Sequence, residues 1–489
     1  MLNKKILAIT AACLIPLQFA GCGGTKINNS DVTIHWYMPK PIDNIKDQEN
    51  VEGFANKTFK EKVGASLKFH FIDRAAWEEK MNVMVASGEE YDLVNTSSTT
   101  NKFNVNVQRG AFADIKEYLS QYGPDIMAKV DPKAWPSVTL GGQILAVPGQ
   151  NPYAIPAVMV FKKEFTDKYK FDFKNVKSLA DLEPYLETIK KNEPGITPLL
   201  SIATNSVSNA PVNKYIDITT GVVYDEEKGK MVFIMDCPET LNSYKLSAKY
   251  YQKGYIAKDA ATKQDYLAEA KSGKYAVLPD TGAYSEDGSK SSGVYGYPCG
   301  ETLLGYLPVT TQSMMACMTA VSSTSKHPDK AVELLNLIWK DRFLSNTLAY
   351  GIEGVNYEVK SGKGTDNISV IPKSGKEQTW GIWHNWLGPL WEQWDSPWNS
   401  TESLVQMQKN NETAKVSDIL GFMLDVEPIK NEIAQISAVN KESSSVFATG
   451  SAPDVEQYIE TIRQKYKEAG IEKVLAEAQA QLDNWKKNK

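Results

Sequence analysis

Val32-Thr33-Ile34-His35-Trp36-Tyr37 is a run of β-branched and aromatic residues closed by the breaker Met38-Pro39, the composition of a buried strand. The segments next to it decide the fold. Residues 53–62 carry a helix pattern, 66–71 a strand, 75–86 a helix, and Tyr91-Asp92-Leu93-Val94 another strand. Strand and helix signals in alternation are βαβ units, which predict a largely parallel sheet wrapped by helices. A second alternating block begins after Tyr153, with a strand at Val158-Met159-Val160-Phe161 and a helix opened by Ser178, whose Leu179, Leu182, Leu186 and Ile189 share a face. A hairpin pairs Gly221-Val222-Val223-Tyr224 with Met231-Val232-Phe233-Ile234. Pro238 then starts a helix that Gly254 stops, and His327-Pro328 opens another, with Ala331, Leu334, Leu335 and Ile338 at core spacing. The last block reads as helical throughout, ending in a stripe of Ile471, Val474, Leu475, Ala478, Leu482 and Trp485. The expected fold class is α/β, two lobes with a helical C-terminal region.

Upstream of the first strand stand Lys4-Lys5, an apolar run from Ile6 to Phe19, and Ala20-Gly21 before Cys22. This is the pattern of a signal peptide: the run is shorter than the roughly 20 residues a bilayer requires, and Pro16 interrupts it. Phe19-Ala20-Gly21-Cys22 resembles a bacterial lipobox, whose cysteine is lipidated and becomes the new N-terminus; it departs at Phe19, where leucine is usual. The expectation is a chain held on the extracellular face of the membrane by lipid at Cys22 alone, with ordinary secretion as the alternative. Residues 23–31, small and polar, form the tether.

A chain of 489 residues has room for two or three full-sized cores. Its 54 Lys and Arg stand against 59 Asp and Glu, a formal −5 that becomes −7 when Lys4 and Lys5 leave with the leader. An acidic chain without basic runs argues against nucleic acid. Of five cysteines, Cys237, Cys299 and Cys317 remain in the folded part; none has zinc-ligand spacing, so isolated buried thiols with at most one disulfide are expected, and neither a metal nor a cofactor. Catalytic patterns are weak. The four histidines are scattered, Ser323-x-x-Lys326 lacks its companion motifs, and Glu392 and Asp395 are i, i+3 acids of a kind common on solvated helices.

Four segments, in order and at matching spacing, resemble the extracellular solute-binding protein family 1, which includes maltose-binding protein. They are Ser87-Gly88-Glu89-Glu90-Tyr91-Asp92-Leu93-Val94, Gly142-Gln143-Ile144-Leu145-Ala146-Val147-Pro148, Tyr251-Gln252-Lys253-Gly254-Tyr255-Ile256 and Lys271-Ser272-Gly273-Lys274-Tyr275-Ala276-Val277. Tyr350-Gly351-Ile352-Glu353-Gly354-Val355-Asn356-Tyr357, and Leu420-Gly421-Phe422 leading through Glu427-Pro428 to Gln481-Leu482-Asp483-Asn484-Trp485, narrow the resemblance to a Gram-positive lipoprotein subgroup with an additional C-terminal domain. The resemblance implies a type II clamp: residues 1–21 as leader, 22–31 as lipidated Cys and tether, 32–152 as the first part of lobe 1, 153–311 as the first part of lobe 2, 312–357 as the return to lobe 1, and 358–489 as the completion of lobe 2 with the helical domain. It further implies a monomer that captures a solute, here expected to be an oligosaccharide, and passes it to the transmembrane subunits of an ABC importer. A peptide or another polar metabolite is the alternative solute, and a surface glycan-active enzyme the alternative activity.

Sugars offer flat C–H faces and a rim of hydroxyls, so the wall that holds them needs aromatic plates and amide or hydroxyl side chains. Open α/β sheets bind at the carboxyl ends of their strands. That singles out Tyr37 after the first strand and the polar loop Asn95, Thr96, Ser97 after the third. Tyr153 stands at the first crossing between lobes, and Tyr284 follows Leu278-Pro279-Asp280 where the family often stacks a sugar. Six tryptophans crowd residues 380–398; Trp380 and Trp383, with His384 and Asn385 beside them, are the candidates for the wall, whereas Trp391, Trp394 and Trp398 keep a helical spacing that suggests core.

Overall fold

A computed structural model describes residues 32–203, 214–281 and 284–488; the leader, Cys22 and the tether lie outside the described residues. The opening run is the strand Val32–Pro39, paired in parallel with Ala65–Ile72 on one side and Leu93–Thr96 on the other. Ile34, Trp36 and Met38 alternate into the core, as period-2 patterning requires. The sheet is completed by Met318–Val321 and Val147–Pro148, antiparallel additions that return from elsewhere in the chain. Helices Gln48–Lys62 and Trp77–Ser87 make the two crossovers. The second stops at Gly88, whose φ of 67° and N–H to the Met84 carbonyl form a left-handed cap that a Cβ would strain.

The second sheet orders as Cys299–Tyr306, Pro156–Lys162, Tyr275–Thr281 and Thr197–Leu199, with two antiparallel pairs and one parallel. The parallel expectation therefore holds for the leading strands of the first lobe and fails for the second, because Cys299–Tyr306 and Tyr275–Thr281 both run back against Pro156–Lys162. Ser178 forms the reciprocal capping box with Asp181 that its position before the apolar stripe announces. A third sheet, the meander Tyr215–Thr219, Val222–Asp225 and Lys230–Phe233, buries Val222, Tyr224 and Phe233 against helices Lys430–Thr449, Val455–Glu468 and Ile471–Asn488.

Three stretches connect the lobes and lie side by side. The Leu307 N–H donates to the Ile155 carbonyl at 2.9 Å, the Val309 N–H to the Lys415 carbonyl at 2.8 Å, and the Ser417 N–H to the Val309 carbonyl at 2.9 Å. Such a short ribbon of extended backbone is a hinge. Just beyond it, residues 419–426 seat side chains on both sides: Leu420 joins the first lobe's core, while Ile419, Phe422 and Leu424 join the helical one.

Two expectations need correcting. Residues 380–387, assigned from the sequence with the tail to the second lobe, put Trp380, Ile382 and Leu387 into the core of the first. Residues 391–398 are not a helix: Gly388, Pro389 and Pro397 break the pattern, leaving one short turn at Leu390–Glu392. Trp394 is buried, but Trp398 stands 55% exposed. Among the described residues no helix is long and apolar enough to cross a membrane.

Candidate functional site

The first lobe's sheet leads, past the end of Val32–Pro39, to a cavity of about 600 Å³. The tryptophan-rich segment supplies most of its wall. Trp380, Trp383, His384, Asn385 and Gln393 line it, Trp398 and Asn399 extend it, and Pro41, Ile42, Gln378 and Met407 close the sides. No Asp, Glu, Lys or Arg is among the described residues that line it. The one titratable imidazole there is neutral: burial, helped by the Arg342 charge, pushes His384 down to about 3, and its Nε2 pairs with Asn346 Oδ1 at 3.0 Å.

The lining tryptophans differ in what they offer. Trp380 is 3% exposed, packed edge-on to Phe71 with its Nε1 donating to the Leu348 carbonyl at 2.9 Å, so it is core that reaches the cavity's edge. Trp383 is 51% exposed and tilted against Trp386, their ring centroids 4.9 Å apart. The Arg74 guanidinium lies over both indoles, 5.1 Å from one centroid and 5.6 Å from the other, held there by hydrogen bonds to the Lys40 and Pro41 carbonyls. That cation–π contact orders the aromatic edge of the site.

Asn95 and Thr96, expected in a loop, are the last residues of the third strand, and with Ser97 just past it they lie close by with their side chains already engaged. Asn95 accepts from Trp36 Nε1 at 2.8 Å and donates to the Trp386 carbonyl at 3.2 Å. Thr96 Oγ1 donates to the Asn101 carbonyl at 2.6 Å, and Ser97 Oγ accepts from the Thr99 and Thr100 amides. Tyr37 stacks on His70 at 4.4 Å, and a neighbouring imidazole contact joins His35 to His70 at 2.8 Å; burial and the His35 charge lower the His70 pKa. Tyr153 is buried in the hinge, its hydroxyl donating to Asp131, and that burial with the neighbouring carboxylate raises its pKa. It sets the crossing and, with Asp131, Asn151 and Asn411, lines a smaller cavity rather than the tryptophan-walled one. Tyr284 follows the carboxyl end of Tyr275–Thr281 on the second lobe, half-buried beside that lobe's core.

Sequence reasoning missed Gln393 and Asn399, although the signal that nominated Asn385, a polar residue next to a tryptophan, applies to both. Asn411, from the polar helix Thr401–Thr413, carried no signal at all. It is 5% exposed, its Oδ1 accepts from the Tyr153 and Ala154 amides at 3.0 and 3.1 Å, and its Nδ2 donates to the Asn151 carbonyl at 2.8 Å. Cys237, Cys299 and Cys317, the cysteines among the described residues, are buried free thiols, and no cluster of His, Cys, Asp and Glu among the described residues could hold a metal.

Two lobes on a three-stranded hinge, with an open wall beside it, have close counterparts. A carbohydrate ABC transporter substrate-binding protein of Streptococcus pneumoniae is 29% identical over the full length of both chains. The crystal structure of the N-glycan transport solute binding protein of the same organism superposes with a TM-score of 0.81 at 27% identity, covering 94% of this chain and 100% of that one. The chain is similar along its whole length to substrate-binding proteins of ABC transporters. Both of these relatives are binding proteins of transport systems. The lipoprotein LipO of Bacillus subtilis is 21% identical over 74% of this chain and 75% of its own. Residues 418–487 match a domain of unknown function, DUF3502, which comprises the strap 419–426 and the three C-terminal helices.

Proposed function

We propose that this substrate-binding protein captures a neutral oligosaccharide between its lobes and delivers it to the permease of an ABC importer. The wall of the cavity carries the reading. Exposed indole faces at Trp383 and Trp398 suit the C–H faces of pyranose rings, and the amides of Gln378, Asn385, Gln393 and Asn399 suit hydroxyl rims. The lining holds no Asp, Glu, Lys or Arg, which fits a solute without charge, and Arg74 at its edge is committed to the indole faces of Trp383 and Trp386 and to the Lys40 and Pro41 carbonyls. Relatives support the class: one is named for carbohydrate transport, and the N-glycan transport protein has been crystallised with Man5GlcNAc.

In this reading Tyr284 of the second lobe closes over the ligand as the opposing plate, with Tyr37 at the rim. Solute favours the closed form through contacts that exist only there, and the permease reads that form. In this reading the lobes take the boundaries expected from the sequence, with residues 380–387 moved to lobe 1, whose core Trp380, Ile382 and Leu387 enter. Localisation to the outer membrane face, as a monomer anchored by lipid at Cys22, accords with the leader and lipobox of the sequence and with a relative named as a lipoprotein.

Thermal shift of residues 31–489 against Man5GlcNAc, other neutral glycans, acidic glycans and peptides tests the proposal, since ligands that bind only the native state raise the melting temperature. A saturable rise with neutral glycans is expected. A response confined to peptides or to acidic glycans overturns the solute assignment.

A further inference from the structure

Asn385, on the cavity wall, is joined to the hinge by an unbroken run of amide hydrogen bonds. Its Nδ2 donates to Asn151 Oδ1 at 2.9 Å. The Asn151 carbonyl then accepts from Asn411 Nδ2, and Asn411 Oδ1 holds the Tyr153 and Ala154 amides, the residues immediately before the hinge contact of Ile155 with Leu307. Asn151 itself is buried, and its Nδ2 donates to the Gly149 carbonyl at 2.9 Å. The backbone of Asn385 is pinned as well: its carbonyl accepts from Cys317 Sγ at 3.0 Å and lies against Gly149, where an added Cβ would come within 2.5 Å of it. Neither Asn151 nor Asn411 lines the cavity.

From this arrangement we infer that Asn151 and Asn411 are positioning residues that couple solute contact at Asn385 to the set of the hinge, an inference that rests on reading the cavity as the solute site. The physical argument is one of satisfaction. Buried amides cannot exchange partners with water, so a shift of Asn385 toward a ligand either carries Asn151 with it or leaves a buried polar atom unpaired. Asn411 has both ends of its side chain committed to the stretch 151–154 and passes that shift to the backbone that bends. Coupling of this kind is a difference of free energies between two sites and acts in both directions.

A ligand-free measurement tests it on the whole folded chain. In Asn385→Ala, amide-resolved hydrogen exchange at Tyr153 and Ala154 should quicken on the order of tenfold, with Val160 and Phe161 of the second sheet unchanged. Unchanged rates at Tyr153 and Ala154 overturn the inference, and so does a uniform rise across the lobe. Asn151→Asp keeps an acceptor for Asn385 and should preserve slow exchange where Asn151→Ala does not; identical behaviour of the two also overturns it. With Man5GlcNAc as probe, Asn151→Ala should weaken binding on the order of tenfold, although Asn151 stands behind Asn385 and does not itself line the cavity. If Trp383→Ala leaves Man5GlcNAc binding intact, the reading of the cavity fails instead, and the exchange result stands by itself.

Discussion

The loop 95–98 and the segment 380–399 look alike in sequence, each a set of ligand-capable side chains beside a strand end or a breaker, yet the molecule uses them oppositely. Asn95, Thr96 and Ser97 spend their hydrogen-bonding groups on Trp36, Asn101, Trp386 and the turn itself. The tryptophan segment divides: Trp380 and Trp394 go inward, and Trp383 and Trp398 stay out. A residue type shows what a side chain could bind, whereas the partners it already has decide whether it is free to do so.

Cutting the chain at residue 357 should have the largest effect. It removes Trp380, Ile382 and Leu387 from the first core and the three C-terminal helices from the third sheet, so no folded product is expected by circular dichroism or gel filtration. A soluble truncation that still binds glycan would break the division of the tryptophan segment into core and wall. Next comes Trp380→Ala, which deletes a buried indole and its hydrogen bond and should cost about 3–5 kcal/mol by denaturant unfolding. Trp383→Ala should do the reverse, leaving stability nearly unchanged and weakening glycan affinity on the order of tenfold by calorimetry. Equal stability losses in the two variants would erase the contrast.

The smallest expected effect is on pH dependence. His384 is neutral in the fold, with a pKa depressed to about 3 against an ordinary 6.5, so folding excludes a proton that the unfolded chain accepts. Its share of stability is complete above the ordinary value and is lost progressively as pH falls below it, on the order of 2 kcal/mol by about pH 4.5. Subtracting the melting curve of His384→Gln from that of the parent isolates this slope from the carboxylates; parallel curves would place His384 in a wetter wall than the structure shows.

Much of the fold was legible because it rests on local chemistry. Alternation in Val32–Pro39, proline at the first turn of Pro238–Gln252 and of Pro328–Lys340, and Ser178 before an apolar stripe each fix an element from within a few residues. The site was legible only as a neighbourhood. Trp383 and Asn385 could be nominated, but helical spacing at residues 391–398 misled, because two prolines and a glycine outweigh periodicity where the backbone must turn.

The sequence by itself determined the two-lobed α/β organisation with a helical C-terminal region, since patterning, breakers and motif order are properties of the chain. Only the tertiary structure decided which tryptophans stay exposed, that the cavity lining is uncharged, that Tyr153 belongs to the hinge, and that Asn411 holds it. Those outcomes depend on contacts between residues such as 151 and 411, or 95 and 386, far apart in the chain. Their hydrogen-bond satisfaction is settled only when the segments meet.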